Sequence, residues 1–171
     1  MKIKVQRYNP EFAQENSFQE YEIFHENLTL LEALNVIKKE HDATLSYLSG
    51  CRSGVCGSCA MRVNETEELA CSYKVSDGDV IEPLKNVPVL RDLIVDTERM
   101  LQFNTLAHAW GSENEANQKV SAEDAQKNEL QSDCILCGSC FSACPVYAVN
   151  ENFLGPFALT RVWRYVTDVR E

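Results

Sequence analysis

The stretch that decides the reading is CRSGVCGSCAMRVN, residues 51–64. Within its first nine positions stand three cysteines, two glycines and two serines, ahead of a strand-like tail. Glycine takes positive φ without steric cost and leaves room where a Cβ would collide. The segment therefore reads as a tight loop that turns its backbone around something compact, with Ser53 and Ser58 kept small for the same reason.

Cys71 follows on the next apolar segment, so the first set is Cys51, Cys56, Cys59 and Cys71, spaced C-x4-C-x2-C-x11-C. The first three match the spacing of plant-type ferredoxins that hold a 2Fe-2S cluster. Four soft thiolates suit iron and sulfide, and loop amides pointing inward supply donors to a negatively charged core. A zinc site is the alternative for the same thiols, although structural zinc sites usually present two C-x2-C-like knuckles and an x4 gap fits them poorly. A Rieske centre needs two histidines among the ligands. His25, His41 and His108 all lie outside the motif and read as surface or packing residues.

The second set is Cys134, Cys137, Cys140 and Cys144 in CILCGSCFSACP, the C-x2-C-x2-C-x3-C-P run of bacterial ferredoxins. Three close thiolates cap three corners of a cubane. In two-cluster proteins the fourth cysteine of such a run serves the other cluster. Eight cysteines less four for the first centre leaves four, whereas a complete pair of cubane-type clusters takes about seven or eight. That shortfall, with a C-terminal helical pattern that meets no Gly, Asn or Pro before Glu171, points to an N-terminal fragment ahead of the alternative, a chain that uses its last four thiols for one cluster.

Around these motifs, the 171 residues are 44% hydrophobic, enough for a packed core. The formal charge of −10 argues against a nucleic-acid surface and against unaided binding to anionic lipid. The first twelve residues hold no apolar signal core, and no apolar run approaches a membrane span. Residues 2–8 and 18–24 alternate as a hairpin; Thr29 and Glu32 form a capping box ahead of Leu30, Leu31, Ala33, Leu34 and Ile37. Strand-like pieces follow at 60–64, 69–73 and 79–84, separated by the turns ETEE and SDGD. The fold class expected is α+β: a β-grasp ferredoxin domain over 1–95, then an α-helical ferredoxin-like domain over 96–171. Residues 89–110 read as helical, 111–131 as an exposed loop or solvated helix, and a last helix with Pro156 at its start runs to Glu171.

The order of CRSGVCGSCAMRVN, LAC, CILCGSC, ACP and NENFLGPFAL resembles the iron–sulfur subunit of succinate dehydrogenases and fumarate reductases over nearly the whole chain. The resemblance implies that Cys51, Cys56, Cys59 and Cys71 hold a 2Fe-2S cluster. It makes Cys134, Cys137 and Cys140 three ligands of a 4Fe-4S cluster whose fourth is missing, and Cys144 the first ligand of a third, 3Fe-4S cluster. The family's later cysteines are absent. Where ubiquinone-reducing members commonly carry a Trp pair after the CP dipeptide, this chain has Ala148 and Val149, a departure that leans toward a menaquinone-linked or fumarate-reductase-like member.

No Ser/His/Asp set, phosphate-binding loop or nucleotide fingerprint is present, so chemistry on a carbon substrate belongs to another chain. The expectation is an oxidoreductase subunit that passes single electrons between an FAD-containing flavoprotein subunit and membrane quinone-binding subunits. It would be a peripheral membrane-associated protein on the cytoplasmic face. Two alternatives stand beside it: an iron–sulfur adaptor for another flavoprotein oxidoreductase, and a zinc-stabilised interaction module. Arg52, Arg62 and Arg161 are the charges to weigh as tuners of cluster potential against a plain reading as solvated surface residues.

Overall fold

Alternation of apolar and polar residues sets β1, Lys2–Arg7, against β2, Ser17–Glu22, in an antiparallel pair with Lys2 opposite Glu22 and Arg7 opposite Ser17. The structure, a computed structural model, describes residues 1–12, 16–111 and 119–170. It divides into two compact units, Met1–Asp96 with Cys137–Ala143, and Thr97–Leu136 with Cys144–Glu171.

In the first unit α1, Leu30–Val36, begins at the capping box: Glu32 N donates to the Thr29 hydroxyl at 3.3 Å and Thr29 N to the Glu32 carboxylate at 2.7 Å. A single π turn, Ile37–His41, continues it. After the cysteine loop come β3, Ala60–Val63, β4, Thr66–Leu69, and β5, Val80–Glu82. The sheet order is β2-β1-β5-β3-β4, with β5 parallel to β1 at its centre and antiparallel to β3. Ile3, Val5, Leu30, Leu34, Ile37, Met61 and Ile81 are fully buried between sheet and helix, each stabilising the unit by roughly 1.5–3 kcal/mol. This is the α+β architecture expected for the first domain.

Two elements differ from the sequence reading. The segment expected as a strand over 69–73 is a strand only up to Leu69, and Ser72 N and Tyr73 N both turn back to Leu69 O at 2.9 and 3.0 Å. The hairpin turn is not ETEE but Asn64–Glu65, both at positive φ (48° and 71°), between the paired residues Val63 and Thr66. Two consecutive positive-φ residues match the right-handed twist of a two-residue hairpin. Asn64 is held there by its amide donating to Asp79 at 2.7 Å and its oxygen accepting from Val80 N at 2.9 Å.

The second difference lies in the stretch expected to be helical from residue 89. It opens instead with a hairpin, β6, Val89–Arg91, and β7, Ile94–Val95. Its cause is Asp92, buried at φ 48°, whose carboxylate accepts from Arg7 Nε at 3.0 Å, Tyr8 N at 3.0 Å and Ser46 N at 2.8 Å. Three long-range donors override a local helical pattern. Arg7 also pairs with Asp42 and donates to the Tyr21 hydroxyl at 2.6 Å.

The second unit is helical: α2, Glu98–Leu106, α3, Ala122–Gln126, α4, Glu129–Ser132, α6, Pro145–Val149, and α7, Gly155–Val166, while the intervening α5, Ser139–Ser142, belongs to the first unit. Of the stretch expected to be solvated, 112–118 lies outside the described residues, and α3 and α4 bury no residue. α7 packs on α2 and α4, and Arg99 sits 5.9 Å from the ring centres of both Phe103 and Tyr147 while pairing with Glu151 at 3.2 Å. Pro156 stands in the first turn of α7 as expected, but the helix stops at Val166 rather than running on. The Thr167 hydroxyl donates to Trp163 O at 2.8 Å, and Asp168 folds back to take Arg170 Nε at 2.8 Å, an alternative to the next helical turn. Among the described residues no helix is long and apolar enough to cross a membrane.

Burial pushes the Asp42 carboxyl up, but the Thr44 hydroxyl and amide, Arg7 and the Tyr21 hydroxyl outweigh it and hold the carboxyl well below the usual carboxylate range. A depressed folded-state value stabilises fully above the unfolded value of about 3.9 and is lost as pH falls below it. Urea unfolding is therefore expected to show a stability that falls below about pH 4 in the native protein. Asp42→Asn should be less stable at neutral pH and flatten that fall; an unchanged slope would remove Asp42 from the account.

Candidate metal centres

The cysteine loop has no ladder of its own, so its course is set by side chains at its approach. Lys38 Nζ donates to Leu45 O at 2.6 Å and Ala43 O at 3.2 Å, the Tyr47 hydroxyl to Asn35 Oδ1 at 2.8 Å, and Asp92 holds Ser46 N. At the exit Ala60 N returns to Gly57 O at 3.1 Å and Ala70 N donates to Cys59 O at 3.1 Å, bringing Cys71 beside the loop from a turn rather than the expected strand.

Arg52, Gly54 and Gly57 take positive φ (61°, 76° and 71°), which rotates successive amides toward the thiols. Ser53 N and Val55 N each reach Cys51 Sγ at 3.4 Å, and Cys51 N reaches Cys56 Sγ at 3.3 Å. The amides of Ser53 and Val55, followed by the Ser53 and Cys56 side chains, lower the Cys51 thiol to about 6. Burial pushes the Cys59 thiol up.

Cys51, Cys56 and Cys59 belong to this one loop, and the bond from Ala70 N to Cys59 O brings Cys71 beside it. Two thiolates per metal, in two pairs, is the donor set of a 2Fe-2S cluster, and inward amides with glycine clearances suit its bridging sulfides. The first set therefore fits a two-iron centre.

The second run repeats the tetrapeptide C-G-S-C: Gly138 takes φ 80° as the N-cap of α5, and Ser139 Oγ lies 3.3 Å from Cys137 Sγ. Cys137 and Cys140 belong to the first unit, Cys134 and Cys144 to the second. Cys144 caps α6, its Sγ accepting from Tyr147 N at 3.4 Å.

Gly57 has a second role. A Cβ there would stand 2.7 Å from Cys137 Cα and Cβ and 2.9 Å from its nitrogen, so the first loop and the second run meet backbone to backbone. The segment Cys137–Ala143 is held in place by buried polar contacts. Ser142 Oγ accepts from Lys85 N at 2.8 Å and donates to Glu67 Oε1 at 2.8 Å, while Asn86 Nδ2 donates to Phe141 O at 3.3 Å and Ser142 O at 3.0 Å. Glu67 in turn faces Arg62.

Arg62 is not the solvated residue that its sequence suggested: it is 3% exposed, 3.0 Å from Glu82 and 3.4 Å from Glu67. Its charge is met by two carboxylates. Arg52 is exposed, and Arg161 stacks over Tyr165 at 5.7 Å. His25 is exposed; His41 and His108 lie edge-on to Tyr21 and Trp110. Glu67, Asn86 and Ser142 were missed as site residues; once the hairpin turn is placed at Asn64–Glu65, the register puts Arg62 opposite Glu67 and would have exposed the first of them.

The chain is similar to known proteins over both cysteine regions. A 2Fe-2S iron-sulfur cluster binding domain matches residues 2–102, and a 4Fe-4S binding domain residues 130–150. The fumarate reductase iron-sulfur subunit of Haemophilus influenzae is 37% identical over all of this chain and 75% of its own length. The mitochondrial succinate dehydrogenase [ubiquinone] iron-sulfur subunit 2 of Oryza sativa is 37% identical over 83% of this chain and 49% of its own. Among solved structures, the Mycobacterium smegmatis Sdh1 complex in the apo form aligns with a TM-score of 0.77 and 23% identity, over 91% of this chain and 70% of the matched one, and shares its fold.

Gly57→Ala combines a disfavoured positive φ with a backbone collision; the conformation alone costs about 1–2 kcal/mol. It is expected to lower thermal stability and to loosen residues 137–143 while leaving β1, β2 and α1 intact, which amide hydrogen exchange resolves. Unaltered protection of 137–143 would show that the close approach is dispensable.

Proposed function

We propose, because this chain belongs to the family of fumarate reductase and succinate dehydrogenase iron-sulfur subunits, that it carries electrons one at a time between a flavoprotein partner and a membrane quinone. The observation that carries this reading is the loop of residues 51–59, whose backbone amides aim at Cys51 Sγ and Cys56 Sγ and whose exit brings Cys71 beside it. Chemistry on the carbon substrate takes place on the partner.

Cys51, Cys56, Cys59 and Cys71 hold the 2Fe-2S cluster; Cys134, Cys137 and Cys140 supply three ligands of a 4Fe-4S cluster, and Cys144 the first ligand of a 3Fe-4S cluster. Bound in these places, the clusters supply one-electron carriers whose potentials depend on charge, hydrogen bonding and exposure. The chain's own residues determine the rest. Amides of residues 51, 53 and 55 offset the negative charge on the sulfurs. Gly57 lets the two cysteine runs touch, and Ser142, Glu67 and Asn86 keep Cys137 and Cys140 against the first sheet. Residues 1–95 form the ferredoxin domain and 96–171 the helical one.

The partners are an FAD-containing flavoprotein subunit and membrane quinone-binding subunits, with this chain peripheral on the cytoplasmic face. A net charge of −10 supports attachment through protein partners rather than directly to anionic lipid.

Iron and acid-labile sulfide determination with low-temperature electron paramagnetic resonance of the dithionite-reduced protein tests the reading. A rhombic 2Fe-2S signal from the native protein and its loss or marked alteration in Cys71→Ser are expected. Stoichiometric zinc without iron would overturn it in favour of a structural module.

A further inference from the structure

Beyond its ligands, the first loop brings a hydroxyl onto one of the sulfurs. Ser58 Oγ lies 3.1 Å from Cys56 Sγ. Of the two, either can donate while the thiol keeps its proton, but once Cys56 binds iron as a thiolate the hydroxyl alone has a proton to give. We infer that the Ser58 hydroxyl donates a hydrogen bond to the Cys56 thiolate of the assembled 2Fe-2S centre and raises its reduction potential. The inference rests on the ligand assignment proposed above.

Three features make this contact part of the site rather than an accident of a surface serine. Gly50 packs against both atoms at once: a Cβ there would stand 2.9 Å from Cys56 Sγ and 2.9 Å from Ser58 Oγ, so a larger residue would displace one or the other. The same local unit recurs at C-G-S-C of residues 137–140, with Gly57 and Gly138 at φ 71° and 80° and Ser139 Oγ 3.3 Å from Cys137 Sγ. The left-handed glycine between cysteine and serine folds the serine back over the preceding sulfur in both. The hydroxyl also differs from its neighbours in kind. Cys51 N at 3.3 Å is a backbone donor to the same sulfur, whereas the Ser72 hydroxyl stands off Cys71 Sγ at 3.8 Å.

The sign follows from charge. Reduction adds an electron to a cluster and its thiolates, and a donor aimed at a ligand sulfur stabilises the more negative state more strongly. Because Cys56 and Ser58 are both exposed, water competes for the same sulfur and limits the effect.

The experiment is redox potentiometry followed by electron paramagnetic resonance on native protein, Ser58→Ala, Ser58→Thr and Ser72→Ala. Ser58→Ala is expected to lower the 2Fe-2S midpoint by about threefold to tenfold in the one-electron equilibrium, at most about 59 mV. Ser58→Thr should restore it, and Ser72→Ala should shift it less than Ser58→Ala. An unshifted midpoint in Ser58→Ala with the signal intact overturns the inference and leaves the functional reading standing, whereas absence of a 2Fe-2S signal from the native protein overturns the reading itself. Should Ser58→Ala fail to take up iron, proton electron-nuclear double resonance on the native protein after brief transfer to heavy water decides. Loss of a coupled, rapidly exchanging hydroxyl proton supports the bond, and no such loss overturns it.

Discussion

At Gly57 the backbone of the first cysteine loop lies against the backbone of Cys137, with no space for even one methyl group between them. Much of the first unit can be understood as the means of maintaining that contact. A loop that aims its amides at the sulfurs of Cys51 and Cys56 cannot also use them in a sheet, so its position has to come from elsewhere. Side chains supply it. Lys38 takes two carbonyls of the approach, Asp92 takes Ser46 N along with Tyr8 N and Arg7, and the first residues of β3 fix the exit. The short hairpin β6–β7 exists in this place because Asp92 has to sit at its turn.

The other side of the contact is held by part-buried polar groups. Replacing a buried ion pair by apolar side chains of similar volume is often neutral or stabilising, so stability alone is a weak reason for Arg62, Glu67 and Glu82 to lie under the sheet. What the set provides is direction. Glu67 presents one oxygen to the Ser142 hydroxyl, whose oxygen accepts Lys85 N, while Asn86 takes two successive carbonyls of the same short segment. Each of these contacts tolerates displacements of a few tenths of an ångström, where an apolar contact would slide. A segment that carries Cys137 and Cys140 is thereby held in one orientation against the sheet.

Those physics explain which parts were legible in the sequence. The capping box at Thr29 and the alternation in β1 and β2 are local signals, and the structure shows both because their cause lies within a few residues. The parallel pairing of β5 with β1, the strand at 89–91 and the burial of Arg62 depend on partners many positions away. The hairpin turn was misplaced for a subtler reason. Asn-Glu carries half of the usual Asn-Gly signal, and Glu65 accepts its positive φ in a turn where Arg62 Nη2 takes Glu65 O at 3.2 Å. At the end of α7 the pattern contained no glycine or proline, yet a threonine and an Asp168–Arg170 pair ended the helix through side-chain bonds that compete with the backbone ladder.

The same pinning bears on how a cofactor would enter. Fixing one residue's backbone costs about 1–2 kcal/mol, so a ten-residue loop ordered only by its cluster would consume a large share of the binding energy. Here the approach and exit are ordered by contacts made with the sheet and α1, and Cys51 Sγ and Cys56 Sγ already stand under their amide donors. The Ser53 and Val55 amides at Cys51 Sγ favour its thiolate form. The loop is shaped by the fold before it is filled, and its glycines are where that shaping is least tolerant of change.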